Sequence, residues 1–211
     1  MCTHFTATRN NPWVKEHFDL ALPAGDYPPE AYPGYLAPLV VKSHQTGRVA
    51  CGLARFGLIP GWAKDDKISR HTYNARSETV DSKPSYRNAW RQRRYGIVLL
   101  DNFFEPNYVS GKAERWQIAL ASQTPFGIAS IWDTWTDPNS GEMVTSFSML
   151  TVNADQHPVM NQFHKPGDEK RTPLVLAPSQ FAPWLNAQPM QAAAMMHWQS
   201  MPNLVSQHMP K

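Results

Sequence analysis

Apolar residues run almost unbroken through positions 49–59, where VACGLARFGLI follows the turn-prone Gly47 and is closed by Pro60. So short and bounded a run reads as a buried strand rather than a helix. Runs of the same character recur at 95–104, 116–121, 128–135 and 146–152, separated by turn-rich pieces such as Asp137-Pro138-Asn139-Ser140-Gly141. Helical patterning is weaker and shorter, at 13–20, 84–93, 178–185 and 190–198. The pattern predicts a β-rich α+β domain. The 19 prolines are spread along the chain, so ordered connections between short strands are expected rather than one flexible linker.

Composition narrows this further. A length of 211 residues suits one domain spanning 1–211, and the last ten or so residues are expected to fray. Hydrophobic residues make up 42% and aromatics 11%, enough for a substantial core with rings to spare for a ligand. The formal charge of +3 permits a nucleic-acid partner without demanding one, so any such site is a local patch. The start, MCTHFTATRNN, lacks the basic-then-apolar order of a secretory signal, and no segment is apolar for long enough to span a bilayer as a helix. Two cysteines, Cys2 and Cys51, do not make a disulfide framework; free thiols in a reducing cytoplasm are expected. The eight histidines are scattered without zinc-finger spacing, so no metal and no cofactor are predicted.

Cys2 is the chemically informative position. Loss of Met1 would leave an amine and a thiol on adjacent carbons. The amine can condense with an aldehyde to a Schiff base, and the thiol can then close a thiazolidine ring on the same carbon. Near pH 7 both groups are mostly protonated, with reference pKa values of about 8 and about 8.5, so they need a positioned base. Met-Cys at a start is not by itself diagnostic; other blocks of the chain decide the matter.

The segment FGLIPGWAKDDKISRHTYNARSET, together with the Met1-Cys2 start, closely resembles the SOS-response-associated peptidase (SRAP) family of abasic-site-processing proteins. The likeness continues through Tyr35-Leu36-Ala37-Pro38, Phe103-Phe104-Glu105, and Thr151-Val152-Asn153-Ala154-Asp155 followed by His164. It implies a single domain with a mixed, largely antiparallel barrel-like sheet and flanking short helices. It also implies an abasic-site sensor that bonds covalently to single-stranded DNA through Cys2, and a peptidase activity on Met1. A single-domain sensor that clasps one strand can work as a monomer, and a cytoplasmic protein that joins the nucleoid when bound to DNA is expected.

By the same resemblance Cys2 is the nucleophile, Asn74 holds the amine or sugar, and Glu105 exchanges protons. His164 protonates the sugar ring oxygen, a role suited to titration near neutrality. Arg76, Arg87, Trp62, Thr151 and Pro38 become the DNA-binding candidates, with the cluster 91–94 extending a basic track.

Plainer readings stay open for several of these residues. Asn74 can cap a helix suggested at 77–81, Glu105 can be a strand-end carboxylate facing water, and His157 rivals His164. Trp62 can be core, and the arginine cluster a solvated helix face. The chain also departs from the family pattern. Thr3 and His4 stand where Gly-Arg is usual, Pro106 stands where a tryptophan often follows the glutamate, and extra residues separate His164 from the next proline motif. Three rival functions remain: an N-terminal-nucleophile amidohydrolase, a non-covalent nucleic-acid-binding module, and a zinc protein using Cys2, Cys51 and histidines.

Overall fold

A computed structural model describes residues 2–43 and 45–210. Its strands are, in chain order, β1 (Phe5–Ala7), β2 (Glu30–Ala31), β3 (Leu36–Lys42), β4 (Val49–Phe56), β5 (Asn74–Arg76) and β6 (Tyr95–Asn107). They continue with β7 (Glu114–Leu120), β8 (Phe126–Thr136), β9 (Met143–Asn153), β10 (Arg171–Pro173), β11 (Val175–Leu176) and β12 (Leu204–His208). Among the described residues four α-helices accompany them: α1 (Asn11–Phe18), α2 (Arg87–Arg91), α3 (Pro178–Asn186) and α4 (Pro189–Met195). None of these is long and apolar enough to cross a membrane.

Five strands close into a ring. β3 pairs antiparallel with β4 and β6, β8 pairs antiparallel with β6 and β9, and a short parallel contact between β4 and β9 completes the circuit. The fold is therefore α+β, a mixed barrel with further strands laid on it. β6 and β9 are long enough to change partners midway. β6 lies against β8 through Tyr95–Leu100 and then takes up β7 from Phe103 onward, while β1 joins its other edge. β9 leaves β8 at Met149 and takes up β5 and β10.

Alternation along these strands sorts the core into two layers. Ala37, Leu39, Phe56, Val98, Leu100, Phe126, Ile128, Phe147 and Met149, drawn from all five ring strands, pack together as the barrel interior. Their sequence neighbours Val40, Ile97, Leu99, Ala129, Ile131 and Leu150 face outward, under Trp13, Trp90, Phe181 and Trp184 of the helices. Burial on both faces explains why 95–104 is apolar without alternation. Gly127 lets α3 approach, since a Cβ there would stand 2.4 Å from Ile97 Cγ2 and 2.9 Å from the Phe181 ring.

The predicted strands all form, extended at most ends, and 49–59 stops at Phe56 because Gly57 turns the chain at φ +116°. The 84–93 helix shrinks to the five residues of α2, and α4 ends at Met195. No helix forms at 77–81, which is a set of turns, so Asn74 begins a strand instead of capping a helix. The C-terminal stretch expected to fray instead carries β12, paired with β7 from Leu204 to His208. Lys211 lies outside the described residues.

Candidate functional site

The partner-changing ends of β6 and β9 converge with the N-terminal segment to build the site. β1 is registered on β6 with Phe5 opposite Phe103, and Phe104 N donates to His4 O at 2.9 Å, so Cys2 lies beside the strand that carries Glu105. From the other side β5 runs parallel to β9, and its first residue, Asn74, donates from Nδ2 to Cys2 O at 2.6 Å. The Tyr86 hydroxyl fixes the backbone behind it by donating to Asn74 O at 2.9 Å. His164 arrives from the loop before β10. Its backbone N donates to Pro106 O at 3.0 Å, its φ is +65°, and its Nε2 lies 3.4 Å from Glu105 Oε2.

Four regions far apart in sequence thus place Cys2, Asn74, Glu105 and His164 in one cluster. The rival His157 is occupied elsewhere, since its Nδ1 accepts from Val159 N and Met160 N, each at 3.1 Å, and so closes the local turn. Asn74 Oδ1 is buried with no hydrogen-bond partner among the described residues, an acceptor in place for an N–H or O–H donor.

Burial sets the protonation of the cluster. Glu105 is 2% exposed, and desolvation raises its carboxyl to about 7, so near neutrality it can both give and take a proton. It is not the water-facing carboxylate that its strand-end position allowed. Burial holds His164 down to about 4, so the ring is neutral at pH 7. The expected near-neutral titration therefore belongs to Glu105. Cys2 is fully buried, and burial with help from the nearby Glu105 carboxylate pushes its thiol far up, so the sulfur is a thiol and not a thiolate.

Beside the cluster opens a cavity of about 310 Å³, whose lining includes Thr3, His4, Tyr32, Phe104, Glu105 and Arg115. The His4 ring is stacked between Tyr32 and Phe104 at 4.2 and 4.3 Å, and Arg115 caps the other face of Phe104 at 3.6 Å. Glu30 ties the stack together, 2.7 Å from His4 Nε2 and accepting from Arg115 Nη2 at 2.8 Å. None of Glu30, Tyr32 and Arg115 stood out in the sequence, because their meeting depends on the β6–β7 and β1–β2 pairings.

The DNA-binding candidates divide. Arg76 leaves β5 exposed, two residues from Asn74 and on the same strand face. Trp62 is 53% exposed, with its Nε1 donating to Pro84 O at 3.3 Å, so it is not core. Arg87 is exposed at the start of α2. Pro38 and Thr151 are buried inside β3 and β9, and Thr151 is occupied by Arg171 Nε at 3.2 Å, so neither presents a surface to a strand. In the 91–94 cluster, Arg93 serves the end of α3 through Asn186 O and Ala187 O, and Arg94 pairs with Asp133. No group of three or more His, Cys, Asp or Glu side chains able to hold a metal occurs among the described residues.

The fold and the site together define a class, a mixed barrel that gathers the cysteine at position 2 with an amide, a buried carboxyl and a neutral imidazole. The sequence profile described as SOS response associated peptidase (SRAP) matches residues 1–209, and the chain belongs to that family. It is 30% identical over 191 residues to the abasic site processing protein YoqW of Bacillus subtilis (strain 168), covering 88% of this chain and 80% of that one. The abasic site processing protein HMCES of Gallus gallus matches at 28% over 123 residues, 48% of this chain and 37% of its own. A crystal structure of a Bordetella bronchiseptica protein superposes with TM-score 0.88 at 28% identity, covering 100% of both chains. One from Bacteroides thetaiotaomicron, at TM-score 0.80 and 20% identity, shares the fold.

Proposed function

We propose that this chain processes abasic sites in single-stranded DNA by bonding to them through the amine and thiol of Cys2, once Met1 has been removed by the protein's own peptidase activity. Met1 lies outside the described residues. The observation that carries the reading is the convergence of Cys2, Asn74, Glu105 and His164 from four separate stretches of chain, in a family whose relatives are named for abasic-site processing.

The chemistry follows from the protonation states. The ring-opened sugar presents an aldehyde, and its carbon is attacked by the Cys2 nitrogen to give a carbinolamine. Glu105 in its acid form gives a proton to the departing hydroxyl, water leaves, the nitrogen returns its proton to Glu105, and a neutral C=N bond remains. The Cys2 thiol then adds across that bond, sulfur to carbon and proton to nitrogen, closing the five-membered ring without a free thiolate. Neutral His164, with Nε2 3.4 Å from Glu105 Oε2, relays a proton between the carboxyl and the sugar. Asn74 keeps the Cys2 carbonyl fixed and offers Oδ1 to the sugar or the amine. Arg76 and the exposed Trp62 supply a phosphate contact and a stacking face, as sequence-indifferent strand binding requires. No cofactor enters, and the protein works as a cytoplasmic monomer.

The test is a denaturing gel of the protein mixed with an oligonucleotide carrying one abasic site. A shifted band is expected with damaged DNA only, and it disappears in Cys2→Ala. Intact-mass measurement before mixing reports whether Met1 has gone. Absence of the band from wild-type protein lacking Met1 overturns the reading. An acyl-enzyme with an amide substrate in its place would favour the amidohydrolase.

A further inference from the structure

Arg76, the phosphate candidate nearest the cluster, already has a partner. Its Nη1 donates to Glu169 Oε2 at 2.9 Å. That carboxylate is held from behind, since Glu169 Oε1 accepts from Arg171 Nη1 at 2.6 Å and from Asn153 Nδ2 at 3.3 Å. Arg171 is 2% exposed and immobilised in turn. It donates to both oxygens of Glu78, at 3.2 and 2.9 Å, and to Thr151 O at 2.7 Å.

Glu169 is therefore fixed by a buried cation, while the Arg76 side chain, 51% exposed, is the movable end of the chain of contacts. Two arginines face two glutamates, so the charge around Arg76 is balanced. An arriving phosphate meets a guanidinium whose charge-assisted bond is already made. Glu169 lies in the loop between His164 and Arg171.

We propose that Glu169 is a built-in competitor for DNA phosphate at Arg76, which keeps the protein's non-covalent grip on single strands weak. The inference rests on the single-strand capture reading above. Backbone attraction is the same for damaged and intact strands, whereas the bond at Cys2 forms only at damage. Weakening the shared contribution leaves the ratio of the two affinities unchanged but lowers the occupancy of intact strands, so that less of the protein is held where no bond at Cys2 can form.

Glu169→Gln isolates the effect. Its amide oxygen still accepts from Arg171, but the NH2 group that replaces Oε2 cannot accept from Arg76. Binding of a fluorescent undamaged oligonucleotide is measured by anisotropy across a salt series for wild type, E169Q, R76A and the double variant. E169Q is expected to bind about threefold tighter at low salt, the size of a surface ion pair, with the gain shrinking as salt rises. In the R76A background the gain vanishes. Equal or weaker binding by E169Q, or an undiminished gain without Arg76, overturns the proposal. The abasic crosslink is scored separately on wild-type protein. Its absence sinks the capture reading, whereas a wild type that crosslinks and an E169Q without an Arg76-dependent gain sink this inference alone.

Discussion

Glu105 and His164 oppose each other in pH, and separating them tests the electrostatics of the site. Burial raises the Glu105 carboxyl from 4.5 to about 7, so its protonated form is the one the fold accommodates. The stability this contributes is whole below about 4.5 and is lost as the pH climbs to 7, a loss of about 3 kcal/mol. Burial lowers His164 from 6.5 to about 4, so its neutral form fits. Stability from that group is whole above 6.5 and is lost as the pH falls toward 4. Its ring keeps 11% exposure, and allowing for solvent screening the loss is about 2 kcal/mol.

The two slopes nearly cancel in the wild type between pH 4 and 7. Glu105→Gln removes one of them, and stability relative to wild type should then rise with pH over that window. His164→Asn removes the other, with asparagine chosen because it tolerates the +65° φ, and stability relative to wild type should fall as pH rises. Thermal unfolding of the three proteins from pH 4 to 7.5 reads the difference. At about 2–4 °C per kcal/mol for a chain of this size, E105Q gains about 6–12 °C across the series relative to wild type and H164N loses about 4–8 °C. Ionisations common to all three cancel in the comparison. Parallel curves for the two variants would refute the assigned protonation states.

Other consequences are as direct. Arg171→Ala removes a buried donor from Thr151 O and the partner of two part-exposed carboxylates, Glu78 and Glu169, and should cost about 1–3 kcal/mol in urea unfolding. Gly127→Ala forces a Cβ against Ile97 and Phe181 and should cost about 1–3 kcal/mol in the same measurement. Asn74→Ala removes the donor to Cys2 O, worth about 1 kcal/mol of stability, and should slow abasic capture about tenfold or more on a time-resolved gel.

The long strands were legible because burial on both faces leaves apolar runs that no other element explains, as at 95–104 and 146–152. β3 escaped notice because Pro38 interrupts LAPLVVK, yet Pro38 precedes the residues, Leu39–Val41, at which β3 gains β6 as a second neighbour. The missing N–H removes no bond from that ladder. β5, β10 and β11, two or three residues each, are too short to show a period and exist only because β8 and β9 offer free edges.

In the site, the family blocks marked Cys2, Asn74, Glu105 and His164, and these meet. Their protonation was not legible, because a carboxyl's pKa depends on how completely water is excluded and not on its neighbours in sequence. Arg171, Glu169 and the stack of Tyr32, His4, Phe104 and Arg115 were missed for a related reason. Each is a charged or aromatic residue of ordinary appearance whose partners lie far away along the chain.

The parallel contact of β4 with β9 joins Arg55 to Ser146, and the ring cannot close until most of the chain has been made. Glu105 rides on an extension of one ring strand, and Asn74 on a splint attached to another. A half-finished or loosened polypeptide therefore has a cysteine near its start without the pairings that bring Asn74, Glu105 and His164 around it. The cluster is thus a property of the completed barrel and not of any shorter stretch of the chain.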